Sequence, residues 1–257
     1  MATPKTGDFC WVELCSPDIA KSLDFYKPLF QWQENAHDMG DQGTYYMLSV
    51  GDKDFGGAFQ LTDELKKQGA MPCWASYVAV DDVDATTEKA KSLGGNLLNG
   101  PFDIGEYGRM AVLQDPTGAV FCLWKSFEGM DGHDKKLPGN FGWNELITED
   151  TGKAQAFYTE LFGWQAETQD FGDVPYTSFS CNGKPVGGML KTPDDCGDLP
   201  SMWVVYFTVT DLDKTLAAAK AKGAEQCHDV MDIAEVGRFA AIKDPQGVYC
   251  SFIQFAS

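Results

Sequence analysis

Residues 9–33, FCWVELCSPDIAKSLDFYKPLFQWQ, change hydrophobic period partway along. The opening run is strand-like and apolar except for Glu13. Ser16-Pro17-Asp18 then supplies an N-cap, a proline at the first helical position and an early acid. Beyond it Leu23, Tyr26 and Phe30 recur at helical spacing. Residues 141–165, FGWNELITEDTGKAQAFYTELFGWQ, repeat the pattern without a gap, and 12 of the 25 positions are identical. There Ala154, Phe157 and Leu161 form the helical stripe. Further strand-length runs follow, such as YYMLSV and RMAVLQ, and Asp115-Pro116-Thr117-Gly118 reads as a turn joining two strands. A second helix starts at Asp81-Asp82 and stops at Gly94-Gly95.

The repetition runs the length of the chain. FGGAF at 55–59 matches VGGML at 186–190, residues 74–95 match 203–224, and residues 102–124 match 231–253. The prediction is an α+β protein of four βαβββ units, forming two tandem modules over 1–127 and 140–257. The polar, Gly- and Pro-containing stretch 128–139 is the linker. The paired glycines Gly56-Gly57 and Gly187-Gly188 sit inside apolar runs, where a β-bulge or a clearance for ligand is expected.

Composition narrows the partners. The formal net charge of −18 disfavours nucleic acid and anionic membrane. No apolar run approaches 18 residues and the start lacks a signal-peptide core, so a soluble cytoplasmic protein is expected. The eight cysteines form no CxxC and read as buried thiols rather than a disulfide framework. His37, His133 and His228 form no metal-binding pair.

The tandem βαβββ units, the helices Asp18…Phe25-Tyr26 and Asp150…Phe157-Tyr158, and the DPxG turns resemble the vicinal oxygen chelate superfamily. That superfamily contains glyoxalase I, extradiol dioxygenases and bleomycin-resistance proteins. The paired W-x-E-L strands and GR-x-A segments resemble its two-module, lactoylglutathione lyase-related branch. The resemblance implies two cups of eight strands each, with a ligand or a divalent metal inside. It also implies a His or Gln early in the first strand, a His opening the fifth and a Glu in the last. This sequence carries Trp11 and Trp143 at the first position. It has Trp74-Ala75 and Trp203-Val204 near the second, and Cys122 and Ser251 at the third. Indole does not replace imidazole as a ligand, so no metal cofactor is expected.

Alternation along a strand puts Glu13 on the face of Trp11 and Glu145 on the face of Trp143. By the same parity Cys122 and Trp124 share a face, as do Ser251 and Ile253. With Trp74, Tyr77, Trp203 and Tyr206 these residues would line cups suited to a flat or apolar small molecule. Three readings of the glutamates stay open: structural ion pairs with Arg109 and Arg238, ligand anchors or general bases, or parts of an unconventional metal site. Three function classes follow: a metal-free small-molecule binder, an enzyme, or a structural module with cups filled by side chains. Because both modules lie in one chain, a monomer suffices to pair them.

Overall fold

The computed structural model describes residues 3–130, 132–171, 174–193 and 199–256. Its first half runs β1 (Phe9–Ser16), α1 (Ile19–Phe30), β2 (Gln33–Asp38), β3 (Thr44–Val50), β4 (Lys53–Gln60) and a short α2 (Asp63–Lys67). Then come β5 (Cys73–Ala79), α3 (Val83–Ser92), β6 (Asn96–Ile104), β7 (Gly108–Gln114) and β8 (Val120–Ser126). The second half repeats this as β9 (Phe141–Thr148), α4 (Thr151–Phe162), β10 (Gln165–Phe171), β11 (Val174–Cys181) and β12 (Lys184–Lys191). It continues with β13 (Met202–Thr208), α5 (Leu212–Ala221), β14 (Glu225–Gln226), β15 (Met231–Ile233), β16 (Gly237–Lys243) and β17 (Tyr249–Phe255). The strands form two open sheets. One has eight strands in the order β2-β3-β4-β1-β5-β8-β7-β6; the other has nine, β10-β11-β12-β9-β13-β17-β16-β14 with β15 also on β16.

The four long helices share one start signal. Asp18, Asp82, Asp150 and Asp211 each accept a hydrogen bond from the backbone N–H three residues on, satisfying a donor at the helix start. The cap of α1 is thus Asp18 rather than Ser16, whose hydroxyl instead meets Ser22 at 2.7 Å and receives the Asp18 N–H. Pro28 lies inside α1 and cannot donate to the Asp24 carbonyl. Lys222 Nζ donates to that carbonyl at 3.3 Å.

Packing divides the chain into two compact units, and each joins a βαβββ unit from either half. One comprises Met1–Cys10, Ser76–Gly132 and Trp143–Val204; the other comprises Trp11–Ala75, His133–Gly142 and Val205–Ser257. In the first, α3 packs on α4 around Phe121, Tyr158, Phe162, Trp164 and Phe179. In the second, α1 packs on α5, and Tyr26, Phe30, Trp32 and Phe207 form the aromatic core. The indoles that close the two cores are fixed alike: Trp164 Nε1 donates to Gly7 O at 3.0 Å and Trp32 Nε1 to Gly139 O at 2.6 Å.

The DPxG turns are built by their aspartates. Asp115 Oδ1 accepts from Thr117 N, Thr117 Oγ1 and Ala119 N, while Asp244 Oδ1 accepts from Gln246 N and Val248 N. Among the described cysteines Cys10, Cys15, Cys122, Cys181 and Cys250 are buried and outside any disulfide, Cys73 is half-buried and Cys227 is exposed. Cys196 lies outside the described residues.

Candidate functional site

Along β1, Val12 and Leu14 are fully buried, so alternation turns Trp11 and Glu13 to the other face. β1 runs parallel to β4 with Glu13 opposite Gly57, and β9 runs parallel to β12 with Glu145 opposite Gly188. A tyrosine from the next strand completes each site. Trp11 Nε1 donates to the Tyr45 hydroxyl at 3.3 Å, and that hydroxyl hydrogen-bonds to Glu13. In the other half Trp143 Nε1 donates to the Tyr176 hydroxyl at 3.0 Å, and Tyr176 hydrogen-bonds to Glu145. Burial first, then the charge of the neighbouring glutamate and the bond to it, hold both phenols well above their usual range. Each tyrosine therefore keeps its proton and presents it to the carboxylate, in a chain of indole N–H, phenol O–H and Glu.

The glycine pairs make room for this arrangement. A Cβ on Gly57 would overlap the Tyr45 hydroxyl and ring, and one on Gly188 would overlap Tyr176 in the same way. The first glycine of each pair clears backbone instead. Its Cβ would fall 2.7 Å from Val12 O at Gly56 and 2.8 Å from Asn144 O at Gly187. The register shifts expected of a bulge occur just opposite, between Leu48 and Ser49 and between Phe179 and Ser180.

The two sites differ beside the carboxylate. Cys15 and Cys73 neighbour Glu13, and burial followed by these charges raises both thiols, Cys73 up to about 12. Ile147 and Met202 hold the matching positions of the other half. The first site is therefore flanked by neutral thiols and the second by purely apolar groups.

The other candidates fall into three groups. Trp74 and Trp203 belong to the aromatic cores. Trp74 packs on Tyr26 at 5.5 Å and Phe207 at 4.9 Å, while Trp203 packs on Phe9 at 5.1 Å and donates from Nε1 to the Tyr158 hydroxyl at 2.8 Å. On β5 it is Cys73 that shares the environment of Glu13, one residue out of phase with Trp74. The arginines are committed elsewhere: Arg109 is held by Asp84 at 2.6 Å and Asp103 at 2.7 Å, and Arg238 by Asp213 at 2.7 Å with Asp232 at 3.9 Å. Of the three open readings of the glutamates, ion pairing with Arg109 and Arg238 is not the arrangement seen: tyrosines meet the glutamates and helix-start aspartates take the guanidiniums. Tyr77 and Cys122 are register partners, as are Tyr206 and Ser251, and all four are buried. Trp124 on β8 has a buried Nε1 without a hydrogen-bond partner among the described residues.

Tyr45 and Tyr176 were missed in the sequence, and Gly57 and Gly188 were read there as a bulge or a ligand clearance rather than as seats for the tyrosines. The available signal was a tyrosine recurring at the same place in both repeats, twelve residues before the second glycine of each pair.

The donor set does not fit the metal that the resemblance implies. Indole, thiol and hydroxyl side chains stand at the three expected ligand positions. Among the described residues no group of three or more His, Cys, Asp or Glu side chains is arranged to hold an ion. No described helix is long and apolar enough to cross a membrane.

Comparison with known proteins agrees with the repeat. The chain is 33% identical over 245 residues to a Mycobacterium tuberculosis (strain CDC 1551 / Oshkosh) protein named "Putative glyoxylase CFP32", covering 95% of this chain and 93% of that one. It is 31% identical over 258 residues to the anthracycline biosynthesis protein DauV of Streptomyces sp. (strain C5), covering 96% and 93%. Among solved structures, the Mn(II)-bound glyoxalase from Novosphingobium aromaticivorans superposes with a TM-score of 0.66 at 14% identity, over 100% of this chain and 86% of that one. The 2,3-dioxygenase LapB from Pseudomonas sp. KL28 gives 0.67 at 12%, over 100% and 94%. At those identities the structures show a shared fold. The family pattern itself matches twice, at residues 9–123 and 140–252, and the chain belongs to the Glyoxalase/Bleomycin resistance protein/Dioxygenase superfamily.

Proposed function

We propose that this protein binds a small, flat, hydroxylated organic molecule, with Glu13 and Glu145 as hydrogen-bond acceptors and no metal of the usual family type. The observation that carries this reading is the Trp–Tyr–Glu cluster, constructed twice from the same strands with a glycine cleared beneath each tyrosine. A carboxylate has about four lone-pair sites, a capacity that can serve a ligand alongside its partners within the protein. Ligand O–H or N–H groups complete it, while the fixed indole offers a flat apolar contact. The aromatic character of the ligand is supported by these indoles and by the name of the Streptomyces relative, since anthracyclines are fused, hydroxylated ring systems.

Calorimetric titration with 1,4-dihydroxyanthraquinone tests the reading. Binding is expected for the native protein, with a loss of about tenfold or more in affinity in Glu13→Gln or Glu145→Gln, as for a charge-assisted hydrogen bond of about 1.5–3 kcal/mol. Absence of binding, or equal affinity in both folded variants, contradicts it.

A further inference from the structure

A cavity of about 310 Å³ lies beside the N-terminal segment, where Thr6 and Cys10 face Val80 after β5, Trp124 on β8, and Met130. All of these residues belong to one compact unit. Two of the lining residues each carry a buried polar atom with no hydrogen-bond partner among the described residues: Trp124 Nε1 and Thr6 Oγ1. Indole nitrogen is a donor only, and an unpaired buried donor costs about 1–3 kcal/mol. The ring cannot easily turn to find a partner. It lies against β7, where a Cβ on Gly108 would come within 2.5 Å of Trp124 Cζ2.

The repeat shows that the fold does not require these groups. The matching positions in the second half are Pro138 for Thr6, Ile253 for Trp124 and Gly142 for Cys10. The same backbone is thus completed there with side chains that bear no polar atom. Cys10 does not compete for the donors, because its thiol already points to Tyr77 O at 3.6 Å and burial keeps it protonated. The charged residues at the rim, Asp81 and Lys125, are exposed and of opposite sign, so the lining favours neither an anion nor a cation.

We propose that this cavity is a second small-molecule site, specific to the first half of the chain, for a neutral carbonyl compound whose oxygen accepts from Trp124 Nε1–H and Thr6 Oγ1–H. It stands apart from the Trp–Tyr–Glu clusters and does not depend on their role.

Proton–nitrogen correlation spectra of the indole N–H groups give a direct readout, with the Trp124 signal assigned through Trp124→Phe and benzamide as the probe. Benzamide is expected to move the Trp124 indole signal downfield and saturably. Thr6→Val is expected to weaken this binding by about fivefold, in line with one lost hydrogen bond. Toluene, of similar shape but without an acceptor, leaves the signal in place. The proposal is overturned by an indole signal unmoved up to the solubility limit of benzamide. It is equally overturned by an equal downfield shift with toluene, or by unchanged benzamide affinity in a Thr6→Val protein whose other signals are native.

Discussion

Gly57→Ala isolates the geometry of the Trp–Tyr–Glu cluster. Gly57 does not occupy the left-handed region of backbone space, so alanine is conformationally acceptable there, and the penalty arises from the overlap with Tyr45. The tyrosine must swing away and give up the bond from Trp11 and the bond to Glu13. A neutral bond contributes about 1 kcal/mol and one to a charged group about 1.5–3, so the loss is about 3 kcal/mol. For a chain of this size that lowers Tm by about 6–12 °C. Urea unfolding of four proteins (native, Gly57→Ala, Tyr45→Ala and the double variant) measures it as a double-mutant cycle. In the Tyr45→Ala background the obstacle is gone, and Gly57→Ala should cost under about 1 kcal/mol. Gly56→Ala is the internal control, because its Cβ meets the Val12 carbonyl and the loss should persist in both backgrounds. Equal losses for Gly57→Ala in both backgrounds would refute the claim that this glycine exists to seat the tyrosine.

Three further outcomes follow from buried groups. His133 is pushed down to about 3 by burial, with Lys135 adding to the effect. The unfolded chain takes up this proton near 6.5 and the folded chain does not until about 3, so stability rises with pH across that window. Its contribution is complete above pH 6.5 and falls away by up to about 5 kcal/mol as pH approaches 3. His133→Phe should flatten this part of the acid-unfolding profile; an unchanged profile would contradict the assignment. Asp115→Ala removes three hydrogen bonds at the turn between β7 and β8 and should cost about 2–4 kcal/mol by urea unfolding, whereas a loss below about 1 would contradict its role. Cys73, with its thiol raised to about 12, should react with iodoacetamide at pH 8 at least about a hundredfold more slowly than an exposed thiol; labelling at the free-thiol rate would contradict its burial beside Glu13.

Much of the architecture was legible in the sequence because it is locally encoded. The aspartate start of α3, the helical stripe Leu23–Tyr26–Phe30 and the DPxG turns each sit within a few residues of the structure they specify. The repeat then ordered them. What escaped was long-range geometry. Tyr45 reaches Glu13 only because β3, β4 and β1 are neighbours in one sheet, with Gly57 in register between them. The side of β5 on which Trp74 falls was not readable, for a plain reason. The strand CWASYVA carries apolar or small residues at nearly every position, so it offers no period-two contrast to fix its phase. The arginines looked available for Glu13 and Glu145 because both sit in strands. Their true partners, Asp84 and Asp213, lie 25 residues upstream in both repeats, a recurrence that could have been read.

The central claim is that the Trp–Tyr–Glu clusters work without the metal typical of this superfamily. Elemental analysis of the purified protein, coupled to thermal unfolding with added Mn²⁺, Ni²⁺, Zn²⁺ or Fe²⁺, tests it most directly. The account predicts metal well below one equivalent per chain and an unchanged Tm with each ion. One or more equivalents of a single metal, with a rise in Tm that is lost in Glu13→Gln or Glu145→Gln, would contradict it.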